Sequence, residues 1–197
     1  MHTIIDKIIH ITRVRVWGFR LKLFLLPRKN VPKVFCIGFN KTGTTSMGSA
    51  FESFGFRNLS YNKYVHQLYD AGQFDKVLDI VSKYDSFDDI PWNQHRFLAT
   101  LDQRFPGSKF IHLERESEDW LKSLCKWHDL IGHSYDKDKA LENYLNHNRI
   151  VRSYFKEREG KDFIILNIKD PLGYAKLAEF LEVKPTLQQF PHENKKR

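Results

Sequence analysis

Val34-Phe-Cys-Ile-Gly-Phe-Asn-Lys-Thr-Gly-Thr-Thr-Ser46 is the stretch that organises this chain. The apolar run at its start, residues 34–39, reads as a buried strand. It enters a loop that holds Gly38 and Gly43. Beyond the loop, Met47, Ala50, Phe51 and Phe54 recur at helical spacing, and Gly55 is placed to stop the helix. A strand, a glycine loop and a helix in that order turn backbone N–H groups and a helix N-terminus toward one point, where an anion is stabilised. Lys41 lies inside that loop.

The spacing Gly38-x4-Gly43 is that of the first half of a nucleoside-triphosphate loop. The second half departs from it. Such a loop needs Lys and then Ser or Thr after the second glycine, whereas Thr44 and Thr45 follow Gly43 here. The loop is suited to an anion other than the β/γ-phosphate pair of ATP. Outward from it, residues 62–71 and 74–84 read as helical, and residues 85–91, rich in acid and turn residues, as a loop. A helix over about 93–104 ends at Pro106-Gly107. Residues 109–113 form a second strand. Ser117 is a good N-cap for a helix whose stripe is Trp120, Leu121, Leu124 and Ile131. A long amphipathic helix carries Leu141, Tyr144, Leu145, Val151 and Phe155. Residues 162–166 are a third strand, and Asp170-Pro171 opens a last helix through Leu181. Strands alternating with helices predict an α/β, three-layer domain: a central parallel sheet with helices on both faces.

With 197 residues, the chain has room for a sizeable core. The net charge of +8 favours anionic ligands without choosing among nucleotide, acidic glycan, nucleic acid and membrane. Cys36 and Cys125, one in a strand and one in a helix, fit neither a zinc site nor a disulfide framework and agree with a reducing, cytoplasmic location. Residues 1–32 are expected to be an arm preceding a domain over 33–197. Its apolar residues are interrupted by Lys7, Arg13, Arg15, Arg20 and Lys22, so it lacks a membrane span and the unbroken core of a signal peptide. It either packs on the domain or lies as a basic amphipathic segment on an anionic membrane.

Lys41-Thr-Gly-Thr-Thr-Ser46 after a strand resembles the 5′-phosphosulfate loop of the sulfotransferases, which use 3′-phosphoadenosine 5′-phosphosulfate (PAPS). Arg115 at the exit of the second strand and Ser123 on the following helix match, in spacing and context, the pair that binds the 3′-phosphate in that family. Residues 105–123 resemble one branch's F/Y-P-x-x-K-F-I-L-x-x-R-x-x-x-x-W-x-x-S pattern, Asp89-Ile-Pro-Trp92 its D-x-P segment and Phe190-Pro-His-Glu-Asn194 its F-P-x-x-N ending. The chain lacks the Arg-Lys-Gly loop of the cytosolic members, for which Lys195, Lys196 and Arg197 are the candidate substitutes. The resemblance implies a P-loop-like fold and transfer of a sulfuryl group to a hydroxyl or amine of an acceptor such as a glycan, leaving 3′,5′-ADP, with no metal. It assigns Asn40, Lys41, Thr42, Gly43, Thr44, Thr45, Ser46, Arg115 and Ser123 to the nucleotide, and Lys41, Asp89 and Ser123 to the chemistry. His95 stands behind Asp89 as general base; Asp88 is expected to point elsewhere and His112 to be a packed strand residue.

Two other readings remain open from the sequence. One is a nucleotide kinase or other nucleoside-triphosphatase with a degenerate loop. The other is a non-catalytic basic module for nucleic acid or membrane, although nucleic acid is not expected because no RNA-reading motif is present. The acceptor is not encoded legibly; residues 60–105 are expected to shape its pocket.

Overall fold

The computed structural model describes residues 32–132, 134–157 and 162–191. The expected arm, the basic C-terminal residues and most of the Phe190–Asn194 segment lie outside them. Five parallel strands form one sheet in the order β2-β3-β1-β4-β5: β1 (Val34–Cys36), β2 (Asn58–Leu59), β3 (Ser86–Phe87), β4 (Lys109–Leu113) and β5 (Phe163–Leu166). The helices between them are α1 (Thr44–Ser53), α2 (Lys63–Asp70), α3 (Phe74–Val81), α4 (His95–Arg104), α5 (Ser117–Ile131), α6 (Lys137–Phe155) and α7 (Gly173–Phe180). The expected α/β class, with a parallel sheet and helices on both faces, is what the chain forms.

The alternation along each strand explains the two faces. Phe35 on β1 and Ile37 just after it join Phe110, Phe163, Trp92, Phe97 and Val151 in a core beneath α2, α3, α4 and α6. Val34 and Cys36 point the other way, into a core with Met47, Phe51, Ile111, Leu113, Tyr174 and Leu177 under α1 and α7. Shifting a strand by one residue would exchange these sets, so the register is fixed from both sides.

The local differences from the sequence reading have simple causes. Two strands, β2 and β3, were not expected; β3 lies inside the segment read as an acidic loop. Glu116, not Ser117, is the N-cap residue of α5, and α4 begins two residues later than expected. Gly55 does end the first helix as expected. Its N–H reaches Glu52 O at 2.9 Å and the Phe56 N–H reaches Phe51 O at 3.1 Å, a left-handed cap that closes the last turn of α1.

Candidate active site

In an open parallel sheet, ligands bind beyond the carboxyl ends of strands where the strand order reverses. Here that point is β1, with β3 on one side and β4 on the other. The segments leaving β1, β3 and β4 carry Lys41, Asp89 and Arg115. Topology therefore brings together residues that are far apart in the sequence.

The loop after β1 is closed from within. Thr42 donates from its hydroxyl to the Phe39 carbonyl at 2.6 Å, and its N–H reaches the same oxygen at 3.3 Å. Thr42 is fully buried, and both of its donors go to the loop itself rather than to the ligand face. Lys41 takes a left-handed conformation at φ 68° and Gly43 one at φ 114°. A Cβ on Gly43 would also stand 2.4 Å from the Ile168 side chain, so glycine is required twice over, for conformation and for space. At Gly38 a Cβ would lie 2.5 Å from Leu113 Cβ and 2.9 Å from Leu113 N, where backbone cannot yield. α1 then starts at Thr44 without a side-chain cap and without an acid in its first turn. Its first N–H groups are thus left facing the loop. Thr44 and Ser46 are buried, while Thr45 is exposed.

Arg115 leaves β4 against this loop, its Nη1 donating to the Lys41 carbonyl at 3.3 Å. One hydroxyl fixes its backbone: Tyr144 on α6 accepts from the Arg115 N–H at 3.0 Å and donates to the Arg115 carbonyl at 2.5 Å. The Tyr144 ring in turn stacks on Trp120 at 4.5 Å and 4°. Trp120 Nε1 donates to the Asn40 carbonyl at 2.8 Å, and the Lys41 ammonium sits 4.3 Å over the Trp127 ring. Ser123 lies three residues after one tryptophan and four before the other, on the helix face that meets the loop. Arg115 Nε and Asn40 Oδ1 are buried without a hydrogen-bond partner among the described residues. An unpaired guanidinium N–H beside an uncapped helix start is a donor set that fits an anionic ligand.

This bracing yields an expected result. Tyr144→Phe keeps the stack on Trp120 but orphans both backbone groups of Arg115. Unfolding in urea should show a loss of about 1–3 kcal/mol, the usual penalty for buried polar groups left unmade. An unchanged stability would mean that Arg115 holds itself.

Asp88 and Asp89 follow β3 and part company. Asp88 is buried and accepts from Asn58 Nδ2 at 2.6 Å and Ser60 Oγ at 2.9 Å. Burial pushes its carboxyl up to about 6 against those two hydrogen bonds. Asp89 has φ 69° and accepts from the Ile90 N–H at 2.9 Å. Burial raises its proton affinity, while the Ile90 N–H and the charges of Lys41 and His66 oppose the rise. The reciprocal influence is present at Lys41, whose ammonium burial weakens and Asp89 supports. Lys41 and Asp89 therefore feel each other across the site. His112 is wholly buried on β4, its Nε2 3.1 Å from Glu114 Oε1. His95 turns toward His147, with 6.3 Å between ring centroids.

Tyr144, Trp127, His66 and Ile168 complete the surroundings, and none of them was assigned to the site from the sequence. Each reaches the site from a distant segment, and nothing in its local spacing marks it. No group of His, Cys, Asp and Glu suited to a metal exists among the described residues. None of their helices is long and apolar enough to cross a membrane.

Comparison with known proteins gives the family and the fold. The profile of the sulfotransferase domain family matches residues 33–133 and 126–197. Among solved structures, a sulfotransferase domain from the curacin biosynthetic pathway is similar over 82% of this chain and 76% of its own, with 16% identity and a TM-score of 0.52. A gluconokinase from Sinorhizobium meliloti 1021 covers 79% of this chain and 98% of its own, at 16% identity and a TM-score of 0.47. No curated protein sequence matches. The family profile spans the loop after β1, the Arg115 strand and both flanking helical layers, and on that basis the chain belongs to the sulfotransferase domain family.

Proposed function

We propose that this protein moves the sulfuryl group of PAPS to a hydroxyl or amine of an acceptor and releases 3′,5′-ADP. The observation that carries the reading is the contact of Arg115 Nη1 with the Lys41 carbonyl. It sets a guanidinium with a buried, unpaired Nε beside a lysine-bearing helix N-terminus, so two anion-binding elements adjoin, as a nucleotide with both a 5′-phosphosulfate and a 3′-phosphate requires. The N–H groups at the start of α1, with Thr44 and Ser46, would hold the 5′ end. Arg115 and Ser123 would hold the 3′-phosphate. Thr42 would act by shaping the loop.

In the transfer, the acceptor oxygen bonds to sulfur as the bond from sulfur to the 5′-phosphate oxygen breaks. Lys41 would neutralise charge on that leaving oxygen, and Asp89 would take the acceptor's proton. Little covalent chemistry is left to the protein, so positioning and charge dominate. The acceptor would enter from the N-terminal end of α2, where His66 influences Asp89 and Tyr61 and Tyr64 are exposed.

Thermal unfolding with nucleotides tests the donor assignment. A ligand that binds only the folded state raises its stability by RT ln(1 + [L]/Kd). At equal concentration and without magnesium, 3′,5′-ADP should raise Tm well above the shift given by 5′-AMP. Equal shifts would remove the 3′-phosphate site, and magnesium-dependent ATP turnover would favour a kinase instead.

A further inference from the structure

The residues on either side of Gly38 are gripped by one imidazole. His147, on α6, is 3% exposed. Its Nε2 lies 2.9 Å from the Ile37 carbonyl oxygen, and its ring is 5.1 Å from that of Phe39. Ile37 follows Cys36, the last residue of β1 in register with β4, so its carbonyl stands where the strand becomes the loop. Phe39 supplies the oxygen on which Thr42 closes that loop. A carbonyl only accepts, so Nε2 carries the proton and the neutral tautomer is set.

The groups facing His147 favour that neutral form. His112 on β4 is 5.6 Å away and His95 on α4 is 6.3 Å away, ring to ring. Glu114, at the end of β4, acts in the opposite sense, but it is already engaged by Arg152 at 2.6 Å. Burial is the largest influence, and with the two histidines it outweighs the Ile37 carbonyl and Glu114, leaving His147 neutral down to about 4. A charged imidazolium there would lack solvent, and a protonated Nδ1 with a bare Nε2 would set a lone pair against the carbonyl.

We propose that His147 is a positioning residue for the anion-binding loop: its Nε2–H fixes the Ile37 carbonyl and its ring seats Phe39, so the loop turns at Gly38 in one conformation before ligand arrives. This rests on the sulfotransfer reading only in the choice of ligand used to test it. A ring that merely filled space would be replaceable by Phe; a ring that positions would be replaceable by Gln, whose carboxamide nitrogen can take the place of Nε2.

The test combines nitrogen-15 NMR of wild-type His147 at neutral pH with hydrogen exchange and 3′,5′-ADP titration calorimetry on the wild type, His147→Gln and His147→Phe. The wild type should show the Nε2–H tautomer. His147→Phe should speed exchange in residues 37–46 more than elsewhere and weaken 3′,5′-ADP about tenfold, the scale of one buried hydrogen bond. His147→Gln should restore both to within about twofold of the wild type, well inside that loss. An Nδ1–H tautomer or an imidazolium overturns the proposal on the wild type alone, even if a variant fails to fold. So does a Gln variant that behaves like Phe, or an exchange change spread evenly over the molecule. If the wild type does not bind 3′,5′-ADP while the tautomer and exchange results hold, the donor reading falls and the positioning role stands.

Discussion

Lys41→Ala is expected to lower sulfuryl turnover by about 10²–10³, the scale of one lost charge-stabilising group at a reacting centre. The fold should survive. The Lys41 carbonyl, which Arg115 binds, remains in the variant, as do the two bonds by which Thr42 closes the loop. Alanine, like lysine, is an L-residue at φ 68°, so the backbone there keeps much the same strain. What disappears is an ammonium that sits 4.3 Å over the Trp127 ring and interacts with Asp89. Burial already weakens its hold on its proton, and that placement costs free energy unless charge develops nearby. Steady-state rates with labelled PAPS and a verified acceptor measure the loss. Circular dichroism and 3′,5′-ADP affinity report whether loop and fold persist. Wild-type turnover in the variant would end the assignment of Lys41 to the leaving oxygen.

Lys41 could be singled out because the loop is local. One strand, two glycines and the start of one helix fall within Val34–Ser46, and their periodicities change where the structure changes. β4 and α5 were legible for the same reason; the roles of Arg115 and Ser123 on them came from the family resemblance instead. The strands β2 and β3 were not. Each is two residues long, too short for alternation to show, and β3 pairs the buried Ser86 with Val34 and Asn58. Its one polar residue is satisfied across strands, Ser86 Oγ donating to Asn58 Oδ1 at 2.9 Å. Such residues read as loop when taken alone. The bracing of the site was illegible for another reason. Tyr144 reaches Arg115 across 29 positions and His147 reaches Ile37 across 110. Those contacts exist only once α6 has packed beside the sheet. In a sequence each is simply one more aromatic on an amphipathic helix. The expected divergence of Asp88 from Asp89 assumed extended backbone, whereas Asp89 turns away in a left-handed conformation at φ 69°. In the fold, Asn58 and Ser60 hold Asp88, while the charge of Lys41 acts on Asp89.

That separation makes Asp89→Asn the more discriminating variant. The residue sits at φ 69°, a conformation that asparagine accepts more readily than most side chains. The Asn carbonyl oxygen can still accept the Ile90 N–H that Asp89 Oδ1 accepts at 2.9 Å. Shape and backbone are therefore kept, and the ability to take a proton is lost. Transfer should fall by about 10²–10⁴, the range for losing a positioned general base, while 3′,5′-ADP affinity stays near the wild type. The sign of the pH dependence follows from the same geometry. The base works deprotonated, so turnover should climb with pH along an acid limb. Burial moves that limb above the ordinary aspartate position, against the Ile90 N–H, Lys41 and His66. In Asp89→Asn this limb should vanish from the residual rate. Asp88 also titrates unusually, at about 6, but through burial against Asn58 and Ser60. Asp88→Asn should therefore disturb stability and leave the limb in place. His95 is the remaining competitor, and its ring lies against His147. If Asp89→Asn transfers sulfate at the wild-type rate and His95→Ala does not, the proton goes to His95, and the pairing of Lys41 with Asp89 is electrostatic support alone.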